Sequence, residues 1–103
     1  MTDHVATLDA LIQDIQTLNE EQDWDGLQAL DERARAQVAE AGEAARAGEA
    51  PEDAVRARIE TLQALVAEVV ARATRARDDA AVEIRKTRKT QKAAQAYLNT
   101  QSR

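Results

Sequence analysis

The stretch that decides the fold runs from Val55 to Ala80 and reads VRARIETLQALVAEVVARATRARDDA. Its apolar residues recur in alternating steps of four and three, as in the heptads of a coiled coil. They are Val55, Ile59, Leu62, Val66, Val69, Ala73, Ala76 and Ala80. Neither Gly nor Pro follows Pro51, which suits the first position of a helix because its missing N–H costs nothing there. The pattern predicts a long amphipathic helix from about Pro51 to the C-terminus, with a break near Asp78 and Asp79 left open.

Two shorter helices are predicted before it. The first runs from about residue 4 to residue 21, is capped by Thr2 or Asp3, and has one apolar stripe. That stripe comprises Val5, Leu8, Leu11, Ile12, Ile15 and Leu18. The second follows Asp23 as its N-cap and ends near Ala47, where Gly48 supplies a left-handed residue. Its predicted buried face comprises Leu27, Leu30, Ala34, Val38, Ala41 and Ala45.

The composition excludes most other fold classes. Alanine accounts for 23 of the 45 hydrophobic residues, while Leu, Ile and Val together number 19 and Phe is absent. With three Gly and one Pro, the chain lacks the turn residues that a multi-stranded fold needs. We therefore predict an all-α fold: an antiparallel helical bundle or hairpin of three to four helices with a long C-terminal helix. The 103 residues predict a single domain, with residues 84–103 as a basic helical extension.

Location is predicted from what the chain lacks. There is no Cys, and therefore no disulfide framework or thiolate metal site. The N-terminus has no basic region before an apolar run, and the longest uncharged apolar run, Thr61 to Ala67, is far below the roughly 20 residues that span a bilayer. We expect a cytoplasmic protein that does not insert into membranes.

Charge is unevenly distributed along the chain. Residues 1–53 carry 14 acids and 3 bases, and residues 54–103 carry 5 acids and 11 bases. No acidic residue follows Glu83, and five bases lie between Arg85 and Lys92. Three readings stay open: a solvated helix, a contact for an acidic protein surface, and a contact for nucleic acid. Nucleic acid is disfavoured because the pI is about 4.9 and no aromatic residue is interleaved with the bases.

Catalysis and cofactor binding have no support in the sequence. The single His4 and the single Ser102 lie at opposite ends of the chain, so no nucleophile and base pair is expected. The acidic clusters lack the spacing of a calcium loop, and no glycine-rich phosphate loop is present. We predict no enzyme activity, no cofactor and no metal site.

Two segments carry a family resemblance. Residues 23–33 read DWDGLQALDER and follow an amphipathic helix with a polar turn, and residues 84–97 read IRKTRKTQKAAQAY, a basic helix ending in an Ala-Tyr pair. In this order, and with this size, pI and absence of Cys, the chain resembles the FliT-like flagellar export chaperones over nearly its whole length.

The resemblance implies a function and partners. Such proteins bind the filament cap protein FliD near its C-terminus in the cytoplasm, prevent its premature assembly, and deliver it to the type III export gate and its ATPase complex. Homodimers also occur in the family. In the family, a helical apolar surface receives the substrate, and the C-terminal helix covers that surface when substrate is absent.

Six large apolar residues are predicted to form the partner-binding stripe: Leu27, Leu30, Leu62, Val66, Val69 and Val70. The predicted regulatory helix is marked by Arg85, Lys86, Arg88, Lys89, Tyr97 and Leu98. Its stripe is weakly apolar and would pack loosely, so that a substrate could displace it. The alternatives are a structural coiled-coil adaptor whose apolar seam is buried in its own oligomer, and a regulator that binds nucleic acid or a transcription factor.

Overall fold

A computed structural model describes residues 2–101, and within them the chain forms three helices and no strand. They are α1 (His4–Glu20), α2 (Trp24–Arg46) and α3 (Glu52–Gln101). The all-α prediction is confirmed, with three helices rather than four and with a long C-terminal helix. The chain divides into two compact units, Met1–Val70 (unit 1) and Ala71–Arg103 (unit 2).

The first two helices begin at capping aspartates. The Asp3 carboxylate accepts a hydrogen bond from the N–H of Ala6 at 3.0 Å, and the Asp23 carboxylate accepts one from the N–H of Gly26 at 2.8 Å. Each bond satisfies a backbone donor that the helix itself leaves unpaired. The predicted cap at Asp23 is confirmed, and Asp3 rather than Thr2 caps α1.

The turn after α1 and the turn after α2 each contain one residue with left-handed backbone angles. After α2, Gly48 has φ 74° and the N–H of Glu49 donates to the carbonyl of Ala44 at 2.8 Å, which confirms the predicted role of Gly48. After α1, the left-handed residue is Gln22, with φ 55°. A side chain in this region is strained by its Cβ, so this turn is formed at a cost that a glycine would not incur.

The third helix starts one residue later than expected and is continuous where the sequence left a break open. It begins at Glu52, so Pro51 flanks the helix instead of occupying its first position, and the Pro51 carbonyl accepts from the N–H of Val55 at 3.0 Å. Further along, Asp78 and Asp79 lie within α3, which is continuous there. The break left open by the sequence does not occur in this structure.

Unit 1 contains the core. The buried apolar side chains that cluster there are Leu8, Leu11, Ile15, Leu30, Ala41, Val55, Leu62 and Leu65. All three helices contribute, because each supplies one apolar stripe. Two ion pairs join α1 to its neighbours: Arg33 of α2 lies 3.3 Å from Asp14, and Arg58 of α3 lies 2.9 Å from Asp9. As exposed pairs they stabilise unit 1 by at most about 1 kcal/mol each.

Unit 2 is the continuation of α3 from Ala71 to Gln101 within the described residues. Each side chain from Arg77 to Gln101 is exposed, including four large apolar ones: Val82, Ile84, Tyr97 and Leu98. Two of its polar contacts join side chains three and four residues apart on the helix. Lys86 lies 3.7 Å from Glu83, and Gln101 donates to the Tyr97 hydroxyl at 2.9 Å.

Candidate functional site

A groove runs along unit 1 between α2 and α3, and α1 contributes to its lining. Its middle has a volume of about 510 Å³ and its narrow end one of about 240 Å³. The two share Ile15, Asp31, Ala34 and Val66, so they form one continuous depression. We call it the α2–α3 groove.

The groove continues toward the other end of the two helices. We call this continuation the polar end of the groove. It has a volume of about 570 Å³ and shares Ile59 and Gln63 with the middle. Its further lining residues are Gly42, Ala45, Arg46, Glu52, Val55, Arg56 and Glu60. The lining therefore changes from large apolar side chains at the narrow end to small and charged ones at the polar end. This gradient follows from the α2 stripe, in which Leu gives way to Ala along the helix.

All six residues of the predicted partner-binding stripe line the groove. Leu62 and Val66 lie in the middle, while Leu27, Leu30, Val66, Val69 and Val70 lie at the narrow end. Sequence reasoning could not show that α2 and α3 present them to the same space, and the structure brings them together there.

Their exposure divides the six into three groups, one of which, Leu27 and Val69, is half-buried. Val66 and Val70 are 48% and 59% exposed, so they offer apolar surface directly. Leu30 and Leu62 are only 8% and 4% exposed, which corrects the expectation that they form open surface. They are buried because they belong to the same core cluster as Leu11 and Ile15 of α1, and they form the floor of the groove.

The sequence missed the contribution of α1 to this site. Leu11 and Ile15 line the middle of the groove, and Ile15 also lines its narrow end. Both were predicted as members of an apolar stripe, but nothing in the local pattern indicates that part of that stripe lies beneath an opening. On the rim, Arg35 Nε lies 3.1 Å from Asp31 Oδ2, and this pair bounds the middle of the groove on the α2 side.

The six residues predicted to mark a regulatory helix all lie in unit 2. Arg85, Lys86, Arg88, Lys89, Tyr97 and Leu98 are exposed on α3. On an ideal helix the five bases from Arg85 to Lys92 are not concentrated on one face, and Arg88 lies one turn from Ile84, on the side of the stripe that contains Ile84 and Leu98. Their regulatory role stays a prediction.

The lining of the groove, among the described residues, contains no His, Cys or Ser. Among residues 2–101, no three His, Cys, Asp or Glu side chains are placed to hold a metal ion. His4 lines another shallow depression with Glu40, Glu43 and Glu49, and Ser102 lies outside the described residues. In the same part of the chain, no helix combines the length and apolar character needed to cross a membrane. What the groove offers is two exposed valines one turn apart, Val66 and Val70, beside buried and half-buried apolar side chains, an apolar surface at the spacing that suits an amphipathic helix.

Comparison with known proteins identifies one family. The family model described as "Flagellar protein FliT" matches residues 2–99, nearly the whole chain. Among curated proteins and among solved structures, none is significantly similar to this chain.

Proposed function

Because the chain belongs to the FliT family, a family of flagellar export chaperones and not of enzymes, we propose that it binds the C-terminal region of the filament cap protein FliD. In this proposal the α2–α3 groove receives the cap protein in the cytoplasm and prevents its premature assembly. The chaperone then delivers it to the type III export gate and its ATPase complex.

The observation that carries the proposal is the continuity of the apolar groove with exposed side chains at its narrow end. Val66 and Val70 lie one turn apart on α3, and Leu27 faces them from α2. A partner helix with apolar residues at steps of three and four would cover these side chains. At about 25 cal/mol per Å² of apolar surface removed from water, this burial supplies the main favourable free energy of binding.

Two further elements belong to the proposal. We propose that residues 84–101 compete with the partner for the groove in a conformation in which α3 bends before them, and that the partner displaces them because their stripe is weakly apolar. A homodimer is the second proposed assembly, in which the exposed apolar residues of α3 would pack against those of a second copy. Neither element is needed for the groove to bind the cap protein.

The test is isothermal titration of the full chain with the C-terminal segment of the filament cap protein from the same genome. Saturable one-to-one binding at micromolar dissociation constant or tighter is expected. Val66→Asp is expected to weaken binding at least about tenfold, because a carboxylate would be desolvated in the groove. Val82→Asp is the matched control, since Val82 is also exposed on α3 but does not line the groove.

Absence of binding would leave the structural adaptor as the better reading. In that case the apolar seam of α3 would be buried in an oligomer of the chain itself, and Val66→Asp would reduce the oligomer mass in sedimentation equilibrium. Equal weakening by Val66→Asp and Val82→Asp would show that the partner binds elsewhere on α3.

A further inference from the structure

We propose that the partner segment received by the α2–α3 groove is an amphipathic helix of about five turns. Large apolar residues lie toward one end of this helix, and Lys or Arg residues flank its apolar face toward the other end. This inference rests on the proposed function of the groove and adds the chemical class of its occupant. It follows from the charges of unit 1 and from how the structure pairs them.

Unit 1 carries a large excess of carboxylates. Residues 1–70 contain 16 Asp and Glu, five Arg and no Lys, a formal charge of −11 with His4 neutral. Each of the five arginines lies in an ion pair within the unit. The pairs are Arg33–Asp14 at 3.3 Å, Arg35–Asp31 at 3.1 Å, Arg46–Glu43 at 3.4 Å, Arg56–Glu52 at 2.7 Å and Arg58–Asp9 at 2.9 Å. All positive charge in the unit is therefore matched by a nearby carboxylate.

The same pairing occurs at the groove itself. Its lining contains three arginines, Arg35, Arg46 and Arg56, and each is already held by a carboxylate of its own helix. Glu60 also lines the polar end, and it belongs to none of the ion pairs formed by the described residues. An acidic partner would meet arginines whose charge a neighbouring carboxylate already offsets, whereas a basic partner can meet Glu60 directly.

Charge beyond the lining acts in the same direction. Like charges placed together oppose association, and complementary charges accelerate encounter and select the partner. The Debye length is about 8 Å at physiological ionic strength, so the carboxylates flanking the groove contribute and distant ones are screened. A net −11 body therefore selects against acidic helices and in favour of basic ones.

The lining changes from apolar to charged along the groove, and this change determines where apolar and basic residues should lie along the partner helix. On α3 the groove extends from Glu52 to Val70, 18 residue steps or about 27 Å of helical rise, which matches a partner helix of about five turns. The narrow end, with Val66, Val69 and Val70, suits the large apolar residues of the partner. The polar end, with Glu60, suits its bases.

The test uses three helical peptides with the same apolar face and with Lys, Gln or Glu at the flanking positions of one half. Each carries a fluorescent label and is titrated with the full chain in about 50 mM and about 150 mM salt. We expect the Lys peptide to bind at least about tenfold more tightly than the Glu peptide in low salt, with the Gln peptide between them. The ratio is expected to shrink in higher salt, because the charges are partly exposed.

Two protein variants and one further peptide locate the effect. Glu60→Gln is expected to reduce the preference for Lys about threefold, while Glu32→Gln, the same charge change outside the groove lining, leaves most of it. A Lys peptide with Ser on its apolar face is expected not to bind. If that peptide binds as tightly as the Lys peptide with an intact apolar face, the inference is overturned, because the binding would then reflect attraction to the acidic surface alone.

The outcomes separate this inference from the proposed function. Equal affinities for the three peptides, or tightest binding of the Glu peptide, would overturn the charge inference and leave the groove as a helix site. Binding of the cap-protein segment without binding of any peptide would overturn it as well. If neither the segment nor the peptides bind, the proposed function is overturned, and the inference that rests on it is overturned with it. A stable dimer that excludes every peptide would show that a second copy occupies the groove, and would overturn the inference.

Discussion

Ile15 of α1 and Val66 of α3 both line the middle and the narrow end of the α2–α3 groove, yet Ile15 is 4% exposed and Val66 is 48% exposed. The two residues therefore serve the same site in different ways. Ile15 belongs to the core cluster that holds unit 1 together, and Val66 presents apolar surface to a partner. Stability and binding should respond to them separately.

Truncating the floor of the groove should destabilise unit 1. Ile15→Ala is expected to lower the free energy of unfolding by about 2–5 kcal/mol, because it removes a buried methylene and two buried methyl groups and leaves a cavity. Ile84→Ala removes the same groups from a side chain that is 53% exposed, and should change stability by less than about 0.5 kcal/mol. Urea unfolding followed by circular dichroism measures both. Equal effects would contradict the placement of Ile15 in the core.

Two glycines should respond to alanine with opposite signs. Gly42 lies inside α2, and a Cβ there would meet only the end of Arg46 at 3.8 Å, so Gly42→Ala should stabilise by about 0.5–1 kcal/mol. Gly48 has φ 74° and no atom within 4 Å of an added Cβ. Gly48→Ala should therefore destabilise by about 1 kcal/mol through backbone strain alone. Thermal unfolding of the two variants checks the signs, and a shared sign would refute the turn assignment.

The turn after α1 should improve with glycine. Gln22 has φ 55°, so Gln22→Gly would relieve strain and is expected to stabilise by up to about 1 kcal/mol, after the entropy cost of glycine in the unfolded chain. Gln16→Gly is the matched control, because Gln16 is exposed within α1 and glycine there should destabilise by about 1 kcal/mol. Chemical denaturation curves compare the two. A loss of stability in Gln22→Gly would count against the left-handed conformation.

Removing the predicted regulatory segment should tighten partner binding. A segment that competes for the groove lowers apparent affinity by the fraction of molecules in which it is bound. A chain ending at Glu83 is therefore expected to bind the cap-protein segment more tightly than the full chain in the same titration. The full-length variant Leu98→Asp, which places a charge in the stripe of this segment, should act in the same direction. Unchanged or weaker binding by both would exclude competition.

Much of the fold was predictable because its signals are local. The cap at Asp23, the left-handed Gly48 and the apolar stripes of the three helices each depend on a few neighbouring residues and on helical geometry. The structure confirmed these and placed the start of α3 at Glu52, one residue beyond Pro51. Local preferences specify a helix end only to within a residue or so.

The candidate site was predictable only in part. The sequence selected Val66 and Val70, which are exposed in the groove, together with Leu30 and Leu62, which are buried beneath it. Periodicity alone cannot separate them, because all four lie on apolar stripes at the same spacing. Which member of a stripe is covered depends on the helix that packs against it.

By itself, the sequence determined the helical class, the capped starts of the first two helices and the division of charge, since these depend on residue type and spacing. Only the tertiary structure decided that Leu11 and Ile15 of α1 line a groove between α2 and α3, and that Arg33 and Arg58 pair with carboxylates of α1. The physical reason is the sequence separation over which each kind of interaction acts. Helix formation and capping act over a few residues, whereas burial and the contacts between α1 and α3 join residues about fifty positions apart, such as Asp9 and Arg58.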